Sequence, residues 1–328
     1  AISPVGWHPR SEFRLADFTD RTDPLKPPLV YHEAYSAPLP SSHRFPMAKF
    51  RELERCLFEC GLAHAGQMHR PLPVPRRWLE LVHQRSYHEA FARDRLDRQA
   101  QRRIGLPATT PLVQRTWLAV GGTVLTARLA LRHGLACHLA GGTHHAFPNF
   151  GSGFCIFNDL AVCARVLIEQ EGLQRVLVVD LDVHQGDATA LIFSGDARVF
   201  TLSAHAASNF PSRKQVSDLD LPLSDGLEDR AYLQTVGDHL PDVLDRLRPQ
   251  LVLYNAGVDP HRDDRLGRLA LSDQGLLMRD RLVLDACLRR NIPIATVIGG
   301  GYDALEPLVK RHALIVRAGL EQSRLYDI

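Results

Sequence analysis

From about residue 112 onwards, short apolar runs alternate with longer stretches of helical periodicity. The runs are "LACHLAGG", "VLVVD", "VFTLS", "LVLYNAG" and "IATVIGGG", and a helical stretch separates each run from the next. Parallel strands need crossover connections of this kind, and strands that are buried on both faces read as continuous apolar runs. The pattern therefore predicts an α/β protein with a central, mostly parallel sheet and helices on both faces.

The regular alternation predicts a single domain. Residues 46–104 read as helical, broken by "RPLPVPRR", and "PPLVYHEAY" contains one short strand candidate. No break, internal repeat or low-complexity segment interrupts the rest of the 328 residues. An α/β chain of this length can form one domain, so we predict one catalytic domain over residues 1–328.

Composition excludes several classes of protein. The net charge is only +2, and the sequence has no basic block, so we expect no direct binding to nucleic acid. No apolar run reaches the roughly 18 residues of a membrane-spanning helix, and the first residues lack the pattern of a signal peptide. The six cysteines form no C-x-x-C pair. They read as reduced thiols, which favours a cytoplasmic protein, with Cys56 and Cys60 as two core residues on one helix face.

Each apolar run ends in residues that can perform chemistry. In open α/β sheets, ligands bind outside the carboxyl ends of the strands. Since five strands deliver such residues to one edge, we predict a single shared site there. In chain order, the residues are Thr143-His144-His145, Asp180 with Asp182 and His184, His205, Asp259, and Tyr302 with Asp303.

The stretch "VLVVDLDVHQGD" predicts a metal site. Asp180, Asp182 and His184 occupy every second position, so on a strand their side chains point the same way. Carboxylates held together repel each other unless a cation lies between them. One imidazole and two carboxylates, one of them supplied by another strand, suit a divalent transition metal that keeps one position open for water. The alternatives are an acidic strand end that caps a helix, and an Asp259 that serves as a helix cap.

Two glycine-rich turns precede the remaining candidates. His144 and His145 follow Gly-Gly, and consecutive loop residues can aim two imidazoles into one pocket. Three glycines precede Tyr302, which lets the backbone approach a ligand closely. Taken alone, the second turn is equally explained as an ordinary cluster of loop glycines.

Four stretches together resemble the zinc-dependent histone deacetylase superfamily, which includes acetylpolyamine amidohydrolases and has the three-layer arginase-like fold. They are "GGTHHAFPNFGSGFCIFND", "VVDLDVHQGDA", "LVLYNAGVDPHRDDRLGRLALS" and "VIGGGYD", in the order found in the family. The variants "DVHQG", "YNAGVD" and the single "GGGY" look most like the class IV branch.

The resemblance implies a role for each candidate residue. Zinc would be bound by Asp182, His184 and Asp259, and Fe(II) could occupy the same ligands. The catalytic residues would be His144, His145 and Tyr302, with Asp180 behind His144 and Asp187 behind His145. The acyl-lysine channel would be lined by Gly153, Phe154 and Phe210. A structural K⁺ or Na⁺ would lie at Asp180, with backbone from Asp182, His184 and the Ser203 segment. Class IV members often have Asn at position 187, and the Asp187 carboxylate is expected to raise the basicity of His145.

The expected reaction is hydrolysis of an amide. We expect the removal of acetyl or longer acyl groups from the Nε of lysine in proteins or peptides. A small acylated amine such as an acetylpolyamine is the alternative substrate, although no acidic insertion that would attract a polyamine is visible. A non-catalytic binding module and an arginase-type two-metal hydrolase are less favoured, because no ligand is lost and no further carboxylates lie nearby. The sequence leaves the oligomeric state and the acyl chain length open.

Overall fold

The computed structural model describes residues 26–40 and 42–328. The predicted single domain covers residues 1–328, so its N-terminal part, residues 1–25, lies outside the described residues. The strands are β1 (Leu29–Val30), β2 (Met68–His69), β3 (Leu135–His138), β4 (Val176–Asp180), β5 (Val199–Ala206), β6 (Leu219–Leu223), β7 (Leu251–Asn255) and β8 (Ile294–Val297). The helices are α1 (Lys49–Glu59), α2 (Arg76–Leu79), α3 (Arg85–Ala92), α4 (Arg98–Ile104), α5 (Thr110–His133), α6 (Asp159–Glu171), α7 (Asp187–Phe193), α8 (Asp229–Leu247), α9 (Asp273–Leu288) and α10 (Leu305–Tyr326).

The strands form one sheet in the order β2-β1-β3-β8-β7-β4-β5-β6. Every pairing between neighbouring strands is parallel. Helices α5, α6 and α7 contact one another along one layer, and α1, α10, α9 and α8 follow one another along the second. The prediction of a three-layer α/β fold with a parallel central sheet is therefore confirmed.

The main helices begin and end where the sequence provides caps. The Thr109 side chain accepts a hydrogen bond from Leu112 N–H at the start of α5, and Asn158 does the same for Ala161 N–H at the start of α6. Gly134 follows the last residue of α5. These caps satisfy backbone groups that have no partner within the helix, so α5 ends directly before β3.

Helix α5 is packed so closely that two of its residues must be glycine. A Cβ at Gly121 would lie 2.0 Å from the Leu72 carbonyl oxygen, and one at Gly122 would lie 2.3 Å from the Tyr35 hydroxyl. The segment of Leu72 is fastened to α5 by Val74 N–H, which donates to the Trp117 carbonyl at 3.0 Å. The contact holds the N-terminal loops against the helix that leads into β3.

One expectation about the N-terminal half is confirmed and one is wrong. The short strand predicted within "PPLVYHEAY" forms at Leu29–Val30 and is followed by a 3₁₀ turn at Glu33–Tyr35. The cysteine pair at the end of α1 is not in the core, because Cys60 is exposed and Cys56 is half-buried.

Among the described residues, no helix is long and apolar enough to cross a membrane.

The glycine contact of α5 predicts opposite effects for two Gly→Ala substitutions. We expect Gly121→Ala to lower the free energy of unfolding by about 1–3 kcal/mol, because its Cβ has no space. Gly237, inside α8, is the matched control, since its Cβ would meet nothing closer than 3.5 Å. Gly237→Ala should raise the free energy of unfolding by about 0.5–1 kcal/mol. Urea unfolding measures both changes, and equal effects would contradict the close packing at α5.

Candidate active site

The carboxyl ends of the central strands bring the candidate residues together. Strand β4 lies between β5 and β7, and its last residue, Asp180, pairs with Ser203 on one side and with Asn255 on the other. Buried Arg279 of α9 donates to the Gly257 carbonyl at 2.6 Å and to the Leu181 carbonyl at 3.3 Å. This arginine therefore holds together the two loops that carry the predicted metal ligands.

Asp182, His184 and Asp259 are buried and form a group with metal-ligand spacing. His184 Nδ1 lies 3.0 Å from Asp182 Oδ1 and 3.1 Å from Asp259 Oδ2. Ligand atoms about 2.0–2.1 Å from a tetrahedral ion are separated by roughly 3.3 Å, so these separations fit one ion. Two carboxylates and one imidazole are also the donor set that suits a divalent transition metal.

The remaining carboxylate oxygens of this group are held by the backbone. Gly300 N–H donates to Asp182 Oδ2 at 2.8 Å, and Val183 N–H donates to Asp259 Oδ1 at 2.9 Å. Burial and the Asp182 carboxylate raise the pKa of Asp259 to about 7. A cation between the two carboxylates would remove this penalty, so the charge of the group, like its spacing, fits a bound metal ion.

Each of the two consecutive histidines is paired with its own carboxylate. His144 Nδ1 lies 2.6 Å from Asp180 Oδ2, and His145 Nδ1 lies 2.6 Å from Asp187 Oδ1. These are the pairs that the family resemblance implied. Each carboxylate fixes the orientation of its ring by holding Nδ1, and His144 Nε2 lies 3.8 Å from Asp182 Oδ1.

The pKa values of the two histidines are shifted in opposite directions. Burial lowers the pKa of His144, but Asp180 and Asp182 outweigh burial and raise this pKa to about 9. For His145, burial and the neighbouring His144 outweigh Asp187 and lower the pKa to about 4. At neutral pH, His144 is therefore protonated and His145 is neutral. As expected, Asp187 raises the pKa of His145, but burial and the neighbouring His144 lower it by more, and neither of these effects was visible in the sequence.

Tyr302 is positioned by contacts on both sides of its loop. Its backbone N–H donates to Asp264 Oδ2 at 2.7 Å. Buried Lys49 donates to the carbonyls of Gly299 and Gly301, at 3.3 and 3.5 Å, in the turn before it. Burial raises the pKa of the Tyr302 hydroxyl well above its usual value, so this group is a hydrogen-bond donor at neutral pH.

The three predicted channel residues lie around the catalytic groups. A Cβ at Gly153 would lie 2.9 Å from the His145 ring and 3.1 Å from the Phe210 ring, so only glycine leaves a gap between these rings. The Phe210 ring lies 4.9 Å from that of His145, and the Phe154 ring lies 5.8 Å from that of Tyr302. The structure thus places all three residues beside the site, and their role in binding substrate stays a prediction.

The expected monovalent cation site is less clearly formed. Asp180 Oδ1 accepts hydrogen bonds from Asn255 Nδ2 at 2.9 Å and from Asp182 N–H at 3.2 Å. The Ser203 hydroxyl lies 3.0 Å from His205 Nδ1. Asp180 and Ser203 are neighbours across β4 and β5. The K⁺ or Na⁺ site stays a prediction.

Several residues of the site were not singled out from the sequence. A cavity of about 30 Å³ adjoins the two histidines, and buried Lys49 and Arg115 line it. Lys49 is one of only four lysines in the chain. Asn255 and Asp264 lie within "LVLYNAGVDPHRDDRLGRLALS", one of the four stretches that resemble the deacetylase family. These signals could have marked the residues, although nothing in the sequence indicates that Lys49 reaches the Gly299–Gly301 turn.

Comparisons with known proteins agree with this geometry. A family model described as "Histone deacetylase domain" matches residues 43–318. An uncharacterised protein of Picosynechococcus sp. is 57% identical over 293 residues, which cover 89% of this chain and 97% of that protein. Histone deacetylase 2 of Arabidopsis thaliana is 28% identical over 311 residues, which cover 90% of this chain and 80% of that protein.

A solved structure shows the same fold. The crystal structure of an HDAC homologue complexed with SAHA aligns with a TM-score of 0.77 and 24% sequence identity, covering 91% of this chain and 84% of that chain. Together with the family match over residues 43–318, these findings show that the chain belongs to the histone deacetylase family. Its placement in the class IV branch stays a prediction.

The metal site predicts a selective loss of metal. Substituting a residue that only supports a metal ligand lowers metal affinity by up to about 100-fold. Because Asp259→Ala removes a ligand itself, we expect it to weaken zinc binding by at least roughly that factor. Asp263→Ala is the matched control, since this nearby side chain is 59% exposed and lies outside the ligand group. Equilibrium dialysis followed by elemental analysis measures the metal content. Full zinc occupancy in Asp259→Ala would show that Asp259 is not a ligand.

A second prediction concerns His83, which supports the loop that carries Gly153. His83 Nδ1 lies 3.0 Å from the Phe147 carbonyl, and Nε2 accepts a hydrogen bond from Asn158 N–H at 2.9 Å. Burial lowers the pKa of His83 to about 3. The unfolded chain binds this proton below about pH 6.5 and the folded chain only below about 3, so stability falls as the pH falls between these values.

Replacing His83 should remove this part of the pH dependence. Between pH 7 and pH 5, the group lowers the free energy of unfolding by about 2 kcal/mol in the wild type. His83→Gln has no group that titrates in this way. The difference in the free energy of unfolding between wild type and His83→Gln should therefore be about 2 kcal/mol smaller at pH 5 than at pH 7. Urea unfolding at both pH values gives the difference, in which the other buried histidines cancel. Parallel pH dependence in the two proteins would contradict a neutral His83.

Proposed function

We propose that the protein is a metal-dependent amidohydrolase, with zinc as its ion, that removes acyl groups from the Nε of lysine in proteins or peptides. One observation carries the proposal: two imidazoles, each held by its own carboxylate, lie side by side next to a three-ligand metal group. The rings of His144 and His145 are 4.0 Å apart, and the ring of His145 is 5.9 Å from that of His184. A pair of histidines and a site for a metal ion are therefore available around one substrate bond.

The proposed reaction begins with removal of a proton from water. A divalent ion held by Asp182, His184 and Asp259 would polarise the acyl carbonyl and lower the pKa of the attacking water. His145 accepts the water proton at Nε2, because its pKa leaves it neutral and Asp187 holds the opposite nitrogen. The positive charge on His144 stabilises the negative charge that develops on the substrate.

Tyr302 and the histidine pair complete the reaction. The Tyr302 hydroxyl stays protonated, so it donates a hydrogen bond to the carbonyl oxygen as that oxygen becomes negative. The leaving lysine amine must take up a proton before it departs. His145, which gained one from water, supplies it, with His144 as the alternative donor.

The alternatives differ in what the site should contain. A non-catalytic binding module would have lost a ligand, a histidine or the tyrosine, and this chain retains all of them. An arginase-type site needs carboxylates for a second ion. Within residues 26–40 and 42–328, one group of at least three His, Cys, Asp or Glu residues has metal-ligand spacing. A small-molecule deacetylase acting on acetylpolyamines is the second candidate, and the same residues would serve it.

A substrate panel tests the proposal. With zinc bound, we expect acetyl-, octanoyl- or myristoyl-lysine peptides to be hydrolysed with a higher kcat/KM than acetylspermidine. A chelator should abolish the activity, and added zinc should restore it, because the ion activates the water. Faster turnover of acetylspermidine would favour the small-molecule alternative. Activity that resists the chelator would contradict the metal mechanism, and inactivity on every substrate with zinc bound would favour a binding module.

The Tyr302→Phe variant separates catalysis from folding and metal binding. Loss of one oxyanion donor costs roughly 10²–10³ in kcat, so we expect that decrease with an unchanged zinc content. Tyr326→Phe is the matched control, because this hydroxyl bonds to Asp285 at the far end of α10. A Tyr302→Phe enzyme as active as the control would remove Tyr302 from the mechanism.

A further inference from the structure

A groove beside Tyr302 adjoins the proposed catalytic groups and presents positive charge. It is open, has a volume of about 750 Å³ and is lined by residues of the 36–51 segment and by Arg265, Tyr302 and Asp303. Three exposed arginines lie along it: Arg44, Arg51 and Arg265. The groove therefore offers cationic side chains to any part of a substrate that extends beyond the acylated lysine.

The residues that line the groove include three arginines and one carboxylate. Its acidic residue, Asp303, forms an ion pair with Arg311, which is itself largely buried. Arg51 is paired with Glu52 at 3.2 Å. For Arg44 and Arg265, no hydrogen bond or ion pair occurs with the residues that the structure describes. Arg44 and Arg265 thus flank the side of the site where Tyr302 lies, and Arg265 is close enough to Asp303 to help lower the pKa of that carboxyl.

The other segments around the channel also carry arginines. The Arg103 carbonyl accepts a hydrogen bond from Gly153 N–H at 3.1 Å, and the Arg103 side chain is exposed. Arg213 follows Phe210 by three residues and is also exposed. The acidic residues next to the site, Asp187 and Asp264, are buried and engaged in hydrogen bonds. Positive charge therefore surrounds the channel on several sides.

We call the exposed arginines Arg44, Arg51, Arg103, Arg213 and Arg265 the rim of the channel. We propose that this rim selects substrates in which acidic residues flank the acylated lysine. The inference rests on the proposed function and names the substrate class of the same site. Positively charged side chains around a cleft raise the local concentration of anionic ligands and repel cations. The rim thus favours acidic peptides and disfavours both lysine-rich tails and acetylated polyamines, which are polycations.

Peptides that differ only in their flanking charge test this inference with the zinc-bound full chain. Three peptides of equal length carry a central acetyl-lysine with Glu, Ala or Arg on both sides. We expect kcat/KM to fall in the order Glu, Ala, Arg, with a gap of roughly tenfold between the first and last at low salt. The gap should shrink at about 0.5 M NaCl, where exposed charges are screened. Fluorescence anisotropy of labelled peptides gives the same ranking without turnover.

Charge reversal on the rim should reverse this ranking. Arg44→Glu combined with Arg265→Glu should favour the Arg-flanked peptide, whereas Arg324→Glu should keep the original order. Arg324 is the matched control because it is exposed near the end of α10, about 29 Å along the helix from Leu305.

A short acetyl-lysine amide without flanking residues separates failure of this inference from failure of the proposed function. If the amide is hydrolysed but the three peptides are bound and cleaved alike, the inference is overturned and the proposed function stands. If the amide and all peptides resist hydrolysis with zinc bound, the proposed function fails, and the anisotropy ranking still decides whether the rim prefers acidic peptides. Stronger binding of single-stranded DNA than of the Glu-flanked peptide would also overturn the inference.

Discussion

The site depends on the burial of two like charges at the end of a parallel sheet. Asp182 and Asp259 lie within 4.8 Å of each other's ligand atoms and of His184, all shielded from water. Without positive charge between them, one carboxylate takes up a proton more readily, as the raised pKa of Asp259 shows, and a metal ion would keep both ionised. The surrounding contacts, from Gly300 N–H to Arg279, hold the carboxylates in spite of their repulsion. The chemistry of the site follows from this requirement for positive charge.

Much of the fold was predictable because the five central strands, β3, β8, β7, β4 and β5, are short apolar runs followed by polar residues. Apolar runs with crossover helices predicted the parallel sheet, and the spacing of Asp180, Asp182 and His184 predicted their convergence. Strand β6 was missed, because "LDLPL" alternates polar and apolar residues and contains Pro222, which is tolerated at the edge of a sheet. A short edge strand of this kind gives no long apolar run.

The pKa values of the site residues were less predictable than the identity of those residues. The sequence shows that Asp187 accompanies His145, but the pKa of His145 also depends on its burial and on the charge of His144. Both depend on packing between distant segments. The contact of Lys49 with Gly299 and Gly301 joins residues about 250 positions apart and has no local signature. Patterns within one segment therefore predict which residues meet, whereas the protonation states and supporting contacts depend on the assembled fold.

The strand order has a consequence for how the chain acquires its native structure. Strand β8 is the last strand in sequence, yet it lies between β3 and β7. Until β8 joins, β2-β1-β3 and β7-β4-β5-β6 are two separate half-sheets with exposed edges. Tyr302 follows β8 by only five residues, so the strand that closes the sheet also carries Tyr302 to the site. Any form of the chain in which β8 is not yet paired leaves edges of β3 and β7 open, and open strand edges favour aggregation.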